Sequence, residues 1–352
     1  VGLEVRARHR RVDAVALPDA LALLGERHEL LGRRDHFAGE AMLQGGFDGV
    51  NLFDRDAVEL NDNAVTYDMN DTARGLNNGA NVKAYAKALE VMSNLSLVDV
   101  QILAIPGIRN PIVTNAAVDA VEQRFDAMYI MDVQQLDNLG NPVTDVDSQN
   151  PSVQQTVQEF LDRGMNTSFA AAYFPDLILP DPTTKTNVTV PPSVAVLGAL
   201  ALNDKLGHPW FAPAGMTRGA LSRVQEAAVK LKKENMDTLY NASINPIVAF
   251  PGNSQQGVGG VVVWGQKTLL AAASALDRVN VRRLLIEIRR QIRDVAKTII
   301  FEPNREATLA RFSAAVTPKL DFIQKQSGLD RFRVVIDSSL TTQEDIENNT
   351  VR

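Results

Sequence analysis

The strongest constraint in this sequence is an alternation that begins near Ser96. Short apolar runs that read as buried strands take turns with stretches of helical periodicity. SLVDVQILAIPG is the first strand and ends in a turn at Pro106-Gly107. AMYIMDV and SFAAAYFP are the next two. Between the first pair, Asn110-Pro111 opens a helix that runs toward Met128, with asparagine suited to the cap and proline to the first turn. VQQTVQEFLDRG predicts a helix closed by Gly164, whose missing side chain tolerates the left-handed stop. A Pro/Thr-rich connection, LPDPTTKTNVTVPP, leads into a further helix, VAVLGALALNDKLG. Strands that alternate with crossover helices predict an α/β fold, a parallel sheet with helices on its faces.

The character changes after Gly252. VGGVVVWG reads as a glycine-flanked strand. Residues 281–299 form an amphipathic helix, with Val281, Leu284, Leu285, Ile288, Ile292, Val295 and Ile299 on one face. FEPN leads to another helix, with Asn304 as its cap and a bend or break expected near Pro318. RFRVVID predicts a last strand. The chain thus divides into an atypical segment 1–36, a β-rich portion 37–90, an α/β domain 91–252 and a C-terminal α+β domain 253–352. The first segment holds neither Asn nor Lys, and its composition has no account in the rest of the chain.

Bulk chemistry excludes several classes. A net charge of -6 argues against coating nucleic acid. The absence of cysteine removes disulfides and thiolate metal sites. No apolar run has the length of a membrane span, and no amphipathic basic stretch with tryptophan suggests an envelope-binding module. The termini, Val1 and a polar stretch ending in Arg352, are those expected of a trimmed core of something longer.

Catalytic motifs are missing. His28-Glu29 lacks the second histidine of a zinc-protease helix. No GxSxG elbow and no P-loop occurs, and GVGG at Gly257 to Gly260 lacks the remainder of a dinucleotide fingerprint. His208 is the one histidine outside the first 36 residues, so an α/β hydrolase would have to use it. It stands beside Trp210 in HPWFAPAG, where a structural role is the simpler reading because a base needs an oriented partner. Trp210 and Trp264 are expected in core packing or a subunit contact, Trp264 being assigned to the core of its glycine-flanked strand.

Two charged stripes are candidate functional faces. Arg282, Arg283, Arg289, Arg290 and Arg293 lie opposite the apolar stripe of the 281–299 helix. Asp119, Glu122 and Asp126 line one face of the helix after Pro111. Solvated faces are the default reading. A phosphate or nucleic-acid site conflicts with the acidic total and the lack of interleaved aromatics. Complementary faces between subunits is the third reading.

Seven strings, in one order, resemble the contractile-tail sheath family of phages, R-type bacteriocins and related injection systems. They are GGFDG at Gly45 to Gly49, AIPG at Ala104 to Gly107, HPWFAPAG, LYNASINPIVAFPG, VVVWGQKTL with Lys267 where arginine is usual, VNVRRLLIEI and FEPN. The resemblance implies a structural protein with no catalytic residue, cofactor or metal. It implies a subtilisin-like α/β domain without a protease site, in which HPWFAPAG closes the domain and the aromatic pair anchors a turn between two layers. It further implies self-assembly into stacked hexameric rings around an inner tail tube, with baseplate and tail terminator proteins as partners. Terminal arms would donate strands to neighbours, and the expected final segment is missing here. There would be no direct nucleic-acid contact and no membrane insertion. The place of action would be a virion tail assembled in the host cytoplasm. It makes the two charged stripes candidates for the subunit interface.

Overall fold

The computed structural model describes residues 80–143, 151–181, 186–253, 258–302 and 305–335. The atypical first segment, GGFDG, most of the 37–90 portion, Asn304 and the residues from 336 onward lie outside them. The described residues from Ala84 onward form one compact unit.

The expected alternation is present. Helix α1 (Ala80–Ser93) precedes β1 (Ile102–Ala104), α2 (Pro111–Arg124), β2 (Met128–Asp132), α3 (Val153–Asp162) and β3 (Ala170–Phe174). After an excursion come α4 (Pro192–Leu206), the single turn α5 (Gly215–Arg218), α6 (Lys233–Asn241), β7 (Ile244–Asn253) and β8 (Val258–Val263). The main sheet has the order β1-β2-β3-β7-β8. Its first four strands are parallel and β8 returns antiparallel along β7. The β7–β8 hairpin crosses position 252, so the sheet takes strands from both sides of the composition change.

β2 and β3 are buried along their whole length, which is why both read as unbroken apolar runs. Met128, Ile130, Ala171, Tyr173, Ile247, Val261 and Val263 join Val196 and Leu200 of α4 in one core. Asn110 caps α2 through its side chain, which accepts from the Ile112 amide, and Pro111 fills the first turn. Gly164 has a φ of 59° directly after α3, as the sequence required.

The excursion is a small sheet that the sequence reading took for a connection. β4 (Leu177–Pro180) and β5 (Asn187–Val190) pair antiparallel, and β6 (Glu226–Ala227) joins β4. These strands are short, and β5 is almost wholly exposed, so no apolar run announced them.

The C-terminal part is built on α7 (Val279–Ala296) and α8 (Glu306–Lys325), with a short 3-10 turn (Ala275–Asp277) before them. α8 runs through Pro318 without a break. Both Pro318 and Ala314, whose carbonyl loses its helical donor, are exposed, so water can take that carbonyl. Residues 331–335 are not a strand, contrary to expectation. Phe332 and Val334 instead pack on α7 and α8 as an extended tail.

Two sequence motifs meet at the start of β7. The buried Asn245 side chain donates to the carbonyls of Ala172 (3.1 Å) and Lys267 (2.8 Å), and accepts from the Lys267 amide (2.6 Å). It thereby pins the end of β8 to the parallel sheet. The approach is so close that a Cβ on Gly265 would stand 2.8 Å from its Oδ1. Asn245→Ala strands three backbone groups away from water and should cost at least about 2 kcal/mol in urea unfolding, each unsatisfied group costing roughly 1–3 kcal/mol. A loss below about 0.5 kcal/mol, the ordinary surface range, would contradict this role.

Candidate functional site

In open α/β sheets, ligands gather at the carboxyl ends of the strands. Here that place is closed by internal bonds. Asp132, the last residue of β2, is buried. Its carboxylate accepts from the Ser193 amide (2.8 Å), the Ser193 hydroxyl (2.7 Å) and the Gly107 amide (3.0 Å). It thus ties the first turn of α4 to the turn after β1. Beside it Arg109 places one guanidinium nitrogen 2.6 Å from both Asp176 oxygens. Ser193 meets a carboxylate directly, with no imidazole between them, so this pair lacks the geometry of a proton relay. Among the described residues, no group of three His, Cys, Asp or Glu side chains could hold a metal.

His208 has its own neighbours. Its ring stacks on Trp210 at 4.4 Å and 9°, and meets Phe211 and Phe322 edge-on. The Trp210 indole donates to the Gln326 carbonyl at the end of α8 (3.0 Å). Asn280, at the start of α7, donates to the Trp210 carbonyl (3.3 Å). The pair therefore clamps the turn after α4 to both C-terminal helices. Among the described residues His208 has no hydroxyl or carboxylate partner, and a hydrolytic role loses its base.

Trp264 is not in the core. It is 45% exposed, resting edge-on against Phe250 at 4.8 Å. It is the residue at which the chain leaves β8, beyond the packed part of the strand. That places it among surface residues open to a subunit contact.

The arginines of α7 are mostly engaged within the chain. Arg283 is buried and pairs with Asp204 of α4. Arg282 bonds the Ser168 hydroxyl and lies 4.0 Å over the Phe169 ring. Arg293 reaches Asp126 at 2.6 Å. Asp126 is 4% exposed and also holds Arg124 at 2.9 Å. Arg290 pairs with Asp99, and Arg289 lies 5.1 Å over Phe125. The basic stripe is thus the face by which α7 docks on the α/β layer, and its match to an acid of the α2 stripe occurs within one chain. Asp119 is exposed and Glu122 half-buried, and among the described residues neither forms an ion pair. The sequence reading could not see that Asp126, beyond the end of α2, turns inward. It missed Asp132 and Asn245, whose buried positions at strand ends were the available signal.

Burial pushes the Asp132 carboxyl above the usual carboxylate range, opposed by the Ser193 and Gly107 donors and by Arg109. A raised folded pKa means the folded state holds the proton more tightly. The stability it contributes is complete below about pH 4, the unfolded value, and is lost as pH rises through the folded value. Urea unfolding of the chain and of Asp132→Asn between pH 4 and 7 should show the parent losing stability relative to the variant as pH rises. The opposite slope would mean that the donors outweigh burial.

No protein-family model matches the chain. Curated relatives do. The tail sheath protein of Vibrio phage KVP40 is 38% identical over 163 residues, 46% of this chain and 23% of the relative. That of Enterobacteria phage T4 is 31% identical over 163 residues, 46% of this chain and 24% of the relative. That of Salmonella phage ViI is 24% identical over 314 residues, 89% of this chain and 42% of the relative. The chain spans less than half the length of these relatives. Among solved structures, a chain of the contracted-state sheath complex of an extracellular contractile injection system, PVC, shares the fold. Its TM-score is 0.57 at 24% identity, over 77% of this chain and 74% of that one. A chain of the anti-feeding prophage baseplate gives 0.55 at 22%, over 74% of this chain and 66% of that one. The motif order, the three phage relatives and the shared fold point the same way: over the matched stretches this chain is similar to the sheath proteins of contractile tails.

Proposed function

We propose that the chain is the structural subunit of a contractile tail sheath. Copies form hexameric rings stacked around an inner tail tube, in a virion tail assembled in the host cytoplasm. A baseplate and a tail terminator cap the two ends. Contraction drives the tube through the target envelope. The observation that carries this reading is the 38% identity to a phage tail sheath protein. The internal bonds of Asp132 with Ser193 and Gly107, and of Asp176 with Arg109, support a scaffold over a hydrolase using His208. In this reading residues 91–252 are the subtilisin-like α/β domain, without a protease site, and residues 253–352 are the C-terminal α+β domain.

A contracting lattice needs subunits that keep their fold while their contacts exchange. Free energy is then stored between subunits, and no nucleotide or other cofactor is required. A helix locked to the α/β layer on one side and to α8 on the other fits that demand. Of the two charged stripes, Asp119, Glu122, Arg289 and, at half exposure, Arg290 keep enough exposure to meet another copy. Each exposed pair would contribute about 0–1 kcal/mol, which a lattice repeats many times.

Negative-stain microscopy of the protein assembled in its host tests the main reading. Hollow tubes of six-fold symmetry are expected; dispersed particles under all conditions would overturn it. Arg289→Glu with Arg290→Glu should then impair contracted-tube assembly, and adding Asp119→Arg with Glu122→Arg should restore part of it. Tubes indifferent to the first pair would reduce these charges to solvated surface.

A further inference from the structure

The turn after α7 carries an unusual pair of side chains. Ile300 is 57% exposed and Phe301 is 102% exposed. Phe301 also holds a φ of 76°, a left-handed conformation that bulky residues rarely adopt. The Glu302 amide bonds back to the Ile299 carbonyl (3.1 Å), so the turn is closed and its aromatic ring is held outward. Among the described residues nothing packs over this ring, so its burial contributes nothing to their core.

A groove of about 460 Å³ lies at the end of α4. Leu202, Leu206, Phe211, Thr217 and Arg218 line it, and Leu206 is 78% exposed. Its floor is firm, because Phe211 packs directly on Gly207. Arg218 lies 5.0 Å over the Phe211 ring and, among the described residues, has no carboxylate partner. The turn offers one: Glu302 follows Phe301 and, among the described residues, is held only by an exposed contact of 3.2 Å to Arg311.

Turn and groove stand at opposite ends of α7. The groove belongs to the turn that Asn280 and Trp210 fix to the start of this helix. Phe301 follows its end. The 18 residues of α7 separate the two by about 27 Å at 1.5 Å per residue, so the turn cannot fold back into its own groove.

We propose that Ile300 and Phe301 of one copy seat in the Leu202–Leu206–Phe211 groove of the next copy, with Glu302 of the first against Arg218 of the second. The contact is heterologous, from one end of a subunit to the other end of its neighbour, and so propagates instead of closing into a dimer. Two side chains cover far less than the roughly 1,200–2,000 Å² of a stable interface, so the contact works only as one part of a repeated lattice. It rests on the sheath reading in taking the occupant to be a second copy of this chain.

The chain has no cysteine, so introduced thiols report cleanly. The variant carrying both Phe301→Cys and Leu206→Cys, assembled and treated with a short thiol crosslinker, should yield a ladder of dimers, trimers and longer products. A mixture of the two single variants should stop at dimers. The charge reversal Glu302→Arg should lower the yield about fivefold, the scale of one exposed ion pair, and Arg218→Glu should restore it. All four positions are exposed or half-exposed, so folding is spared. Tubes without crosslinked product would overturn this contact and leave the sheath reading intact. A ladder without tubes would uphold the contact and count against the sheath. Neither tubes nor product would overturn both. Product from Phe301→Cys alone would mean that turns meet turns, and would overturn the proposal.

Discussion

Burial of α7 on two faces is the constraint from which the described part of this molecule is organised. One face carries Val279, Arg283 and Ile286, spaced three to four residues apart, and joins the core beneath the sheet. The other carries Leu284, Ile288, Ile292 and Val295 and joins Trp210, Val316, Leu320 and Ile323. A helix wedged between two apolar clusters couples them, because close-packed interiors do not shear without opening voids. Arginines suit such a position. Their stems cover apolar surface while their planar heads reach acids and aromatic rings at the rim.

The sheath reading asks of a subunit that it stay rigid within and exchangeable without. Here the polar chemistry is sorted in that way. Asp132, Asn245, Arg283 and Asp126 spend their bonds on joining α4, β8 and α7 to the sheet. Several exposed apolar residues lie elsewhere, among them Leu206 at the end of α4, Trp264 at the end of β8, and Ile300 and Phe301 after α7. Each stands where an element ends, and contacts to neighbours made at such places leave the core undisturbed when they break.

Much of the sheet was legible from sequence because β2 and β3 are buried on both faces and so are continuous apolar runs. The caps at Asn110-Pro111 and Gly164 were legible because each has one local cause. The β4–β5–β6 sheet was not, since exposed four-residue strands carry no pattern of burial. Trp264 misled for the same reason: a tryptophan beside valines reads as core, and only the departure of the chain at Gly265 turns it outward. The amphipathic stripe of α7 was legible, but its second buried face was hidden, because arginine reads as surface in any scheme that scores charge as exposure. Which acids those arginines would meet was a question of topology. Arg293 and Asp126 are separated by 167 residues.

The central claim is that the basic face of α7 is used within the chain. A double-mutant cycle on Arg293→Ala and Asp126→Ala, read by urea unfolding at low and high salt, tests it most directly. The account predicts a coupling of about 1–3 kcal/mol, the scale of residues sharing one ion-pair network. It should survive high salt, because Asp126 is buried and ions screen buried pairs weakly. A coupling below about 0.3 kcal/mol, the value for independent sites, would contradict the account and return that face of the helix to solvent.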